Sequence, residues 1–394
     1  MLIYYRFNNF CSFNCESEFS MSAPTGKVKK RFPDNFVETK EGFELLKTAV
    51  IVGENAGGKS NFINSLKYLK SLFVTNMQVK SIRPYVNAVS LNIEENPVQK
   101  FEICFRTEKG KIYIYHLHLN DKGIVYEELQ KLKKKNAVVS SVFKVEKVAN
   151  GVTTLEVPVG VRMSGVAQTN LFSEESIGLL VSKFALLGNE DALAVVEWMT
   201  EVLYPESLTF DKSDDVMKQE ADMKILQDER YLEIFRMVDY SICGIELDKE
   251  KPYSKTMIIR KDESGNSFRR ELQMDSTGVR EFFAWAVHIF RVVYENKVVF
   301  ADEMDRVLNP ILSDRVIAFV NGAEHTGQFI FSTHNVLHLD LKNYMKEQIY
   351  FVTKNREQLT SEMYSLSDFP EVRYETTKIY EFYMKGILGG TAFE

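Results

Sequence analysis

The clearest pattern along the chain is a set of short, fully apolar segments, each followed closely by polar residues. Residues 48–52 (TAVIV), 298–301 (VVFA), 329–331 (FIF) and 349–352 (IYFV) are such segments. Apolar runs of this length, bounded by turn residues, are typical of strands buried on both faces of a parallel sheet. Stretches with helical periodicity lie between them, so the pattern predicts an α/β fold.

Helical periodicity is strongest in two segments. In the first, the apolar residues recur every three to four positions: Phe62, Ile63, Leu66, Leu69, Leu72 and Phe73. The second, residues 279–293, is a long apolar segment. Residues 170–245 have a helical composition, with residues 184–203 at helical spacing and residues 214–236 rich in charge. We therefore expect helices to cover both faces of the sheet.

Alternating apolar and polar residues predict a second kind of strand. Residues 2–19 fit a strand or hairpin, and residues 101–105, 111–119 and 124–129 fit antiparallel strands separated by polar turns. The first buried strand lies near the start of the chain, whereas its expected partners lie beyond residue 295. The material between them is therefore predicted to be an insertion into a split core.

These elements predict three regions. Residues 1–165 are expected to form an N-terminal lobe with an antiparallel β subdomain, and residues 166–250 an inserted helical subdomain. Residues 251–394 are expected to form a C-terminal lobe. The predicted fold class is thus α/β, with a mostly parallel sheet, an antiparallel β subdomain and a helical insertion.

A phosphate-binding motif follows the first buried strand. Residues 53–60 read GENAGGKS and match G-x-x-x-x-G-K-[ST] at every required position. In this motif the backbone N–H groups surround a polyphosphate, the lysine reaches the β- and γ-phosphates, and the hydroxyl ligates Mg²⁺. The residues expected to contact the nucleotide are Gly53, Glu54, Asn55, Ala56, Gly57, Gly58, Lys59, Ser60 and Asn61. The sequence therefore predicts that the protein binds ATP and Mg²⁺.

Two carboxylates and a histidine end later strands. Asp302 and Glu303 follow residues 298–301, and His334 follows the strand at residues 329–331. Beside a P-loop, Asp302 is suited to hold Mg²⁺ together with Ser60, and Glu303 to polarise the attacking water. His334 could contact the γ-phosphate or steady that water, although a structural histidine before the next helix is the alternative. The expected catalytic residues are Glu303, His334 and Lys59, and the expected activity is ATP hydrolysis.

A Ser-x-Gly sequence opens the long apolar helix. Ser276 can cap this helix while the N–H groups of the first turn form an anion site, although a plain helix cap accounts for the same residues. Along the chain, the P-loop comes first and Ser276 with Gly278 second. The strand that ends at the two carboxylates follows, and the strand that ends at the histidine is last. This order is that of the ABC-type ATPases, in which the Ser-x-Gly of one subunit closes on the nucleotide held by another.

The chain resembles the ABC-like ATPases of abortive-infection and phage-defence systems, which are relatives of the SMC and OLD families. The residues that carry the resemblance are 2–4, 9–13, 53–62, 302–310, 332–335, 348–353, 364–369 and 380–386. The family usually has histidine where this chain has Asn309, and Gln168 is a candidate for the glutamine that links Mg²⁺ to the inserted domain.

The resemblance implies an ABC-type fold, ATP-driven homodimers or larger assemblies, and a partner effector. We therefore expect a sensor or switch ATPase of a prokaryotic anti-phage system that controls a nuclease or toxin, with a phage-derived trigger. The acids Asp211, Asp214 and Asp215 are better explained by a solvated loop than by a nuclease site.

Composition narrows the alternatives. The net charge of −6 gives no overall attraction to nucleic acid, and the four cysteines lack a zinc pattern, which favours free thiols in the cytoplasm. The sequence has no apolar run of 18 residues, so it does not predict a membrane-spanning helix. A DNA-binding SMC-like ATPase of repair or recombination remains the alternative, because residues 131–135 and 27–31 are basic. The spacing of the motifs fits a transporter subunit poorly.

Overall fold

Two large β-sheets and the helices packed on them form most of the protein, as a computed structural model shows. The structure describes residues 1–74, 79, 98–148, 151–159, 161, 178–206, 214–217, 219–304, 308–335, 339–355, 357–375 and 378–388. The described strands are β1 (Leu2–Asn8), β2 (Ser17–Ser20), β3 (Phe36–Glu38), β4 (Glu44–Leu46), β5 (Thr48–Val52), β6 (Gln99–Arg106), β7 (Ile112–Asn120), β8 (Gly123–Leu132), β9 (Ser140–Val148), β10 (Gly151–Glu156), β11 (Leu203–Glu206), β12 (Ile242–Glu246), β13 (Met257–Lys261), β14 (Ser267–Glu271), β15 (Val298–Ala301), β16 (Gln328–Thr333), β17 (Ile349–Lys354) and β18 (Ser361–Ser365).

Helices connect these strands and cover the sheets. The described α-helices are α1 (Lys59–Val74), α2 (Leu180–Leu186), α3 (Glu190–Glu197), α4 (Asp214–Met217), α5 (Glu220–Leu226), α6 (Glu229–Phe235), α7 (Thr277–Glu295), α8 (Pro310–Gly322) and α9 (Ile379–Met384). Short 3₁₀ segments are Val28–Arg31, Leu272–Met274, Lys346–Gln348 and Leu366–Asp368. Among the described residues, no helix combines the length and apolar character needed to cross a bilayer.

The six-stranded central sheet has the order β11-β15-β16-β5-β17-β18. Its first five strands are parallel, and only β18 runs antiparallel to its neighbour. The apolar strands predicted at residues 48–52, 298–301, 329–331 and 349–352 are confirmed as β5, β15, β16 and β17. As expected, the partners of β5 come from beyond residue 295, because β5 lies between β16 and β17.

Alternate residues of each central strand face two different cores. Ala49 and Ile51 of β5 face a core shared with α1 and the antiparallel sheet, whereas Val50 and Val52 face a core shared with α7 and α8. Successive side chains of a strand point to opposite faces, so a strand buried on both sides must be apolar throughout. The prediction that both faces of the sheet are covered is therefore confirmed.

The second large sheet is antiparallel and has the order β10-β9-β8-β7-β6-β1-β2. It contains the predicted N-terminal hairpin and the three predicted antiparallel strands. Phe62 of α1 connects this sheet with the central sheet: its ring centroid lies 5.9 Å from that of Phe7 in β1, 5.4 Å from that of Phe19 in β2 and 6.0 Å from that of Phe300 in β15. The helix that begins at the P-loop is thus clamped between the two sheets.

The helical segment predicted at residues 184–203 is interrupted between Leu186 and Glu190, and it ends one residue early, at Val202. Helix α3 ends at Glu197, a π-helical turn covers Trp198–Val202, and Leu203 begins β11. The Trp198 ring stacks on Phe105, with centroids 4.0 Å apart, and Pro205 lies in the strand itself. Proline is tolerated in β11 because that strand is at the edge of the sheet.

The region predicted as one helical insertion contacts both cores. Helices α2 and α3 contribute to the core with the antiparallel sheet, whereas α5 and α6 pack against the core that contains α7. In addition, β11 from this region pairs with β15 of the central sheet. The predicted boundary at residues 165 and 166 lies outside the described residues and stays a prediction.

Candidate active site

The P-loop follows β5 and is shaped by close contact with β17. A Cβ atom on Gly53 would lie 2.1 Å from the Val352 carbonyl oxygen, and one on Gly57 would lie 2.8 Å from the same oxygen. Gly58 has a φ of 121°, and Ala56 also has a positive φ, of 61°. Glycine is therefore required at residues 53 and 57 by space and at residue 58 by backbone conformation.

Lys59 begins helix α1 and folds back into the loop. Its Nζ donates hydrogen bonds to the carbonyl oxygens of Gly53 at 2.7 Å and Glu54 at 3.0 Å. The side chain is buried, whereas Asn55, Ala56 and Ser60 are exposed. The ammonium group is thus held inside the loop while the outer residues remain open to a ligand.

The register of the parallel strands brings the predicted acids to the same edge of the sheet as the P-loop. Ala301 pairs with Phe331, and Val52 pairs with Thr333. Asp302 therefore follows β15 beside Ser332, and Gly53 follows β5 beside His334. Since adjacent strands lie about 4.8 Å apart, roughly 10 Å separates the ends of β5 and β15, with the end of β16 between them.

Ser332 makes hydrogen bonds to both Asp302 and Glu303 and so holds them in position. Its hydroxyl donates a hydrogen bond to Oδ1 of Asp302 and accepts one, at 2.8 Å, from the backbone N–H of Glu303. Glu303 has a φ of 54°, which is uncommon for a residue other than glycine and is often found at functional sites. Both carboxylates are partly exposed, and His334 is exposed.

Sequence reasoning assigned no role to Ser332, although one signal could have found it. In parallel strands whose apolar runs align, the residue after the run on β16 must lie beside the residue after the run on β15. Ser332 follows Phe331, so its contact with Asp302 follows from the register alone. The predicted P-loop, the two acids and His334 therefore lie at one edge of the central sheet.

Ser276 and Gly278 stand apart from this group. Ser276 caps α7 by accepting a 3.4 Å hydrogen bond from the Val279 N–H, and both Ser276 and Gly278 are exposed. A Cβ atom built on Gly278 meets nothing within 4 Å. Within the described part of the chain, neither residue makes a hydrogen bond to the P-loop, Asp302 or His334. Among the described residues of one copy, none requires glycine at position 278.

Two other residues considered in the sequence, Asn309 and Asp214, lie at the start of helices. Asn309 caps α8, where its Oδ1 accepts a 2.9 Å hydrogen bond from the Leu312 N–H. The expectation of a solvated loop is wrong for Asp214, which begins α4 and is half-buried. Its carboxylate accepts hydrogen bonds from the Tyr253 and Ser254 N–H groups. Gln168 and Asp211 lie outside the described residues.

The basic segments considered for DNA binding are partly neutralised. Lys29 pairs with Glu44, and Arg31 pairs with Glu375. In the other segment, Lys131 pairs with Asp191 at 2.6 Å. Each pair lowers the local positive charge that would attract a phosphate backbone.

No protein-family model matches the chain, and no curated protein matches it. Among solved structures, the SMC head domain from Thermotoga maritima is 15% identical with a TM-score of 0.41, covering 92% of this chain and 98% of that one.

Two further SMC head structures are similar at the same level. A head bound to the C-winged helix domain of ScpA is 14% identical with a TM-score of 0.47, covering 92% of this chain and 97% of that one. A head with an extended coiled coil, bound to the C-terminal domain of ScpA derived from Pyrococcus furiosus, is 12% identical with a TM-score of 0.44, covering 92% and 96%. At these scores the likeness assigns no function to this chain.

Proposed function

We propose that this protein binds and hydrolyses ATP at the carboxyl edge of its central sheet. The observation that carries the proposal is the strand register, which sets the P-loop, Asp302 with Glu303, and His334 at the ends of β5, β15 and β16. Ligands of open α/β sheets bind at this edge. A loop of backbone donors beside two carboxylates suits phosphoryl transfer, which depends mainly on positioning and charge compensation.

Each residue has a distinct role in this proposal. The N–H groups of residues 53–60 and the Lys59 ammonium bind the phosphates. Glu303 orients the attacking water and accepts its proton, and His334 contacts the γ-phosphate or that water. Ser332 is a positioning residue, because its hydroxyl holds the Asp302 carboxylate and the Glu303 backbone in place.

The residues at this edge also fit a magnesium ion. Mg²⁺ prefers oxygen ligands and keeps several waters, so it needs only one or two protein ligands beside the phosphates. The Ser60 hydroxyl and the Asp302 carboxylate are oxygen donors of this kind. Bound there, Mg²⁺ would neutralise part of the phosphate charge.

We further propose that a second copy of the chain completes the site, as in ABC-type ATPases. Ser276 and Gly278 are exposed, and a Cβ atom on Gly278 would meet no described atom within 4 Å. Among the described residues, neither makes a hydrogen bond to the P-loop. The first turn of α7 would supply N–H groups to the nucleotide held by the other copy. ATP would then join the two copies, and hydrolysis would release them.

The biological role is proposed from the sequence resemblance. It supports an ATP-dependent switch in anti-phage defence that controls a partner effector, a nuclease or a toxin, in response to a phage-derived trigger. The DNA-binding SMC-like alternative gains no support from the basic segments, because several of their cations are paired with acids. Filter binding to duplex DNA at physiological salt separates the two roles.

The nucleotide assignment is tested with Lys59→Ala. We expect wild-type protein to bind ATP with Mg²⁺ and to hydrolyse it, and the variant to bind ATP at least roughly tenfold more weakly, because a charge-assisted contact is lost. Lys109→Ala is the matched control, since Lys109 is an exposed lysine away from the motifs. Calorimetry and phosphate release provide the measurements. A wild-type protein that neither binds nor hydrolyses ATP contradicts the proposal.

A further inference from the structure

We propose that Ser361 of β18 is a positioning residue for the P-loop, which it orients through a hydrogen-bond relay that begins at Asn61. The relay runs from Asn61 to Ser12, from Ser12 to Ser361, and from Ser361 to the Gly57 carbonyl. It joins three segments of the chain, since Ser12 and Ser361 are 349 residues apart in sequence. This inference rests on the proposed nucleotide site.

The distances define an unbroken chain of polar contacts. Nδ2 of Asn61 lies 2.8 Å from Oγ of Ser12, the Ser12 and Ser361 hydroxyl oxygens lie 2.7 Å apart, and Oγ of Ser361 lies 2.6 Å from the Gly57 carbonyl oxygen. In addition, the Ser361 N–H donates to the Ser12 carbonyl at 2.7 Å. This backbone contact fixes the distance between the two hydroxyl groups.

Proton counting sets the direction of the relay. A carbonyl oxygen can only accept, so the single hydroxyl proton of Ser361 must point at Gly57. Ser361 therefore accepts from the Ser12 hydroxyl, and Ser12 in turn accepts from the Asn61 amide group. Each donor has one acceptor, and hydrogen bonds aligned in one direction strengthen one another.

The relay acts on the peptide bond between Gly57 and Gly58. In a trans peptide the C=O and N–H groups point in opposite directions, and no cis peptide bond is present among the described residues. Holding the Gly57 carbonyl against Ser361 therefore directs the Gly58 N–H away from Ser361, towards the side of the loop where we place the phosphates. Ser361 thus prepares a backbone donor before the nucleotide arrives.

The relay is anchored in a rigid part of the fold. Phe10 and Phe13 exchange two backbone hydrogen bonds of 2.9 Å, which close the turn that carries Ser12. Both phenylalanine side chains are buried in the core. Ser361 is itself buried, and its Oγ lies 2.3 Å from the position that a Cβ atom on Gly58 would take. Only glycine at position 58 therefore leaves room for the Ser361 hydroxyl.

The test compares ATP binding by Ser361→Ala, Ser12→Ala and the double variant. We expect Ser361→Ala to weaken ATP binding roughly 5-fold to 30-fold, the range for one lost hydrogen bond that orients a donor to a charged group. Ser12→Ala should weaken binding less, because the Ser361 hydroxyl still reaches Gly57. The double variant should lose less affinity than the product of the two single effects, since the two hydroxyl groups belong to one hydrogen-bond network.

Controls separate positioning from folding. Ser71→Ala removes a serine hydroxyl that also bonds a backbone carbonyl, that of Tyr68 at 2.7 Å, and should leave ATP binding unchanged. Thermal unfolding without nucleotide should change no more in Ser361→Ala than in Ser71→Ala. The relay is overturned if Ser361→Ala binds ATP as tightly as the wild type does. It is also overturned if the loss of ATP affinity in the double variant equals the product of the two single losses. If Ser361→Ala does not fold, unchanged affinity in Ser12→Ala overturns it instead. A wild-type protein that does not bind ATP contradicts the nucleotide site itself.

Discussion

At the scale of single residues, Gly53 is constrained by a backbone carbonyl of the neighbouring strand. We expect Gly53→Ala to lower the free energy of unfolding by about 2–4 kcal/mol, because the new Cβ atom would meet the Val352 oxygen, which β17 holds in place. Gly322→Ala is the control, since a Cβ atom there meets nothing within 4 Å. Urea unfolding measures both. Equal stability of the two variants would show that β17 moves aside.

The residues of the candidate site differ in how far the sequence reveals them. Lys59, Asp302 and Glu303 could be predicted because each belongs to a local pattern whose chemistry is known. Ser332 and Ser361 belong to no such pattern, since each acts on a residue that is distant in sequence. Their contacts depend on how strands pair, and a single sequence does not state that pairing.

At the scale of secondary-structure elements, Gln328 joins the two large sheets through hydrogen bonds. It is fully buried on β16; its Oε1 accepts from the Leu2 N–H of β1, and its Nε2 donates to the carbonyls of Leu2 and Leu46 at 3.0 Å. We expect Gln328→Leu to lower the free energy of unfolding by at least about 2 kcal/mol. The reason is that the Leu2 N–H and the carbonyls of Leu2 and Leu46 would each lose a buried hydrogen-bond partner.

The matched control for this variant is Gln227→Leu, because Gln227 is an exposed glutamine near the end of α5. Its unfolding free energy should stay within about 0.5 kcal/mol of wild type. Chemical denaturation measures both variants. If their free energies of unfolding fall by the same amount, Gln328 does not stabilise the contact between the two sheets.

Elements buried on both faces were predictable, whereas an edge strand was not. Strands β5, β15, β16 and β17 consist of apolar runs that only a doubly covered sheet requires. Strand β11 is four residues long, contains Pro205 and directly follows a helix, so its periodicity merges with that of the helix. Its assignment depends on parallel pairing with β15, which is a tertiary contact.

At the scale of the whole molecule, the two cores meet at the central sheet and leave its carboxyl edge for the site. The P-loop helix α1 is packed in one core and α7, which begins at Ser276, in the other. In each copy, the P-loop helix therefore lies on one face of the central sheet, and the helix that begins at Ser276 lies on the other face.

The most direct test of this account is the mass of Glu303→Gln in solution with ATP and Mg²⁺. Blocked hydrolysis should trap the nucleotide, so sedimentation should give twice the mass of one chain with ATP and the mass of one chain with ADP. Adding Gly278→Arg should keep ATP binding but prevent the dimer, since position 278 is exposed and a Cβ atom there meets no described atom within 4 Å. A Glu303→Gln protein that is saturated with ATP and remains monomeric would contradict the shared site.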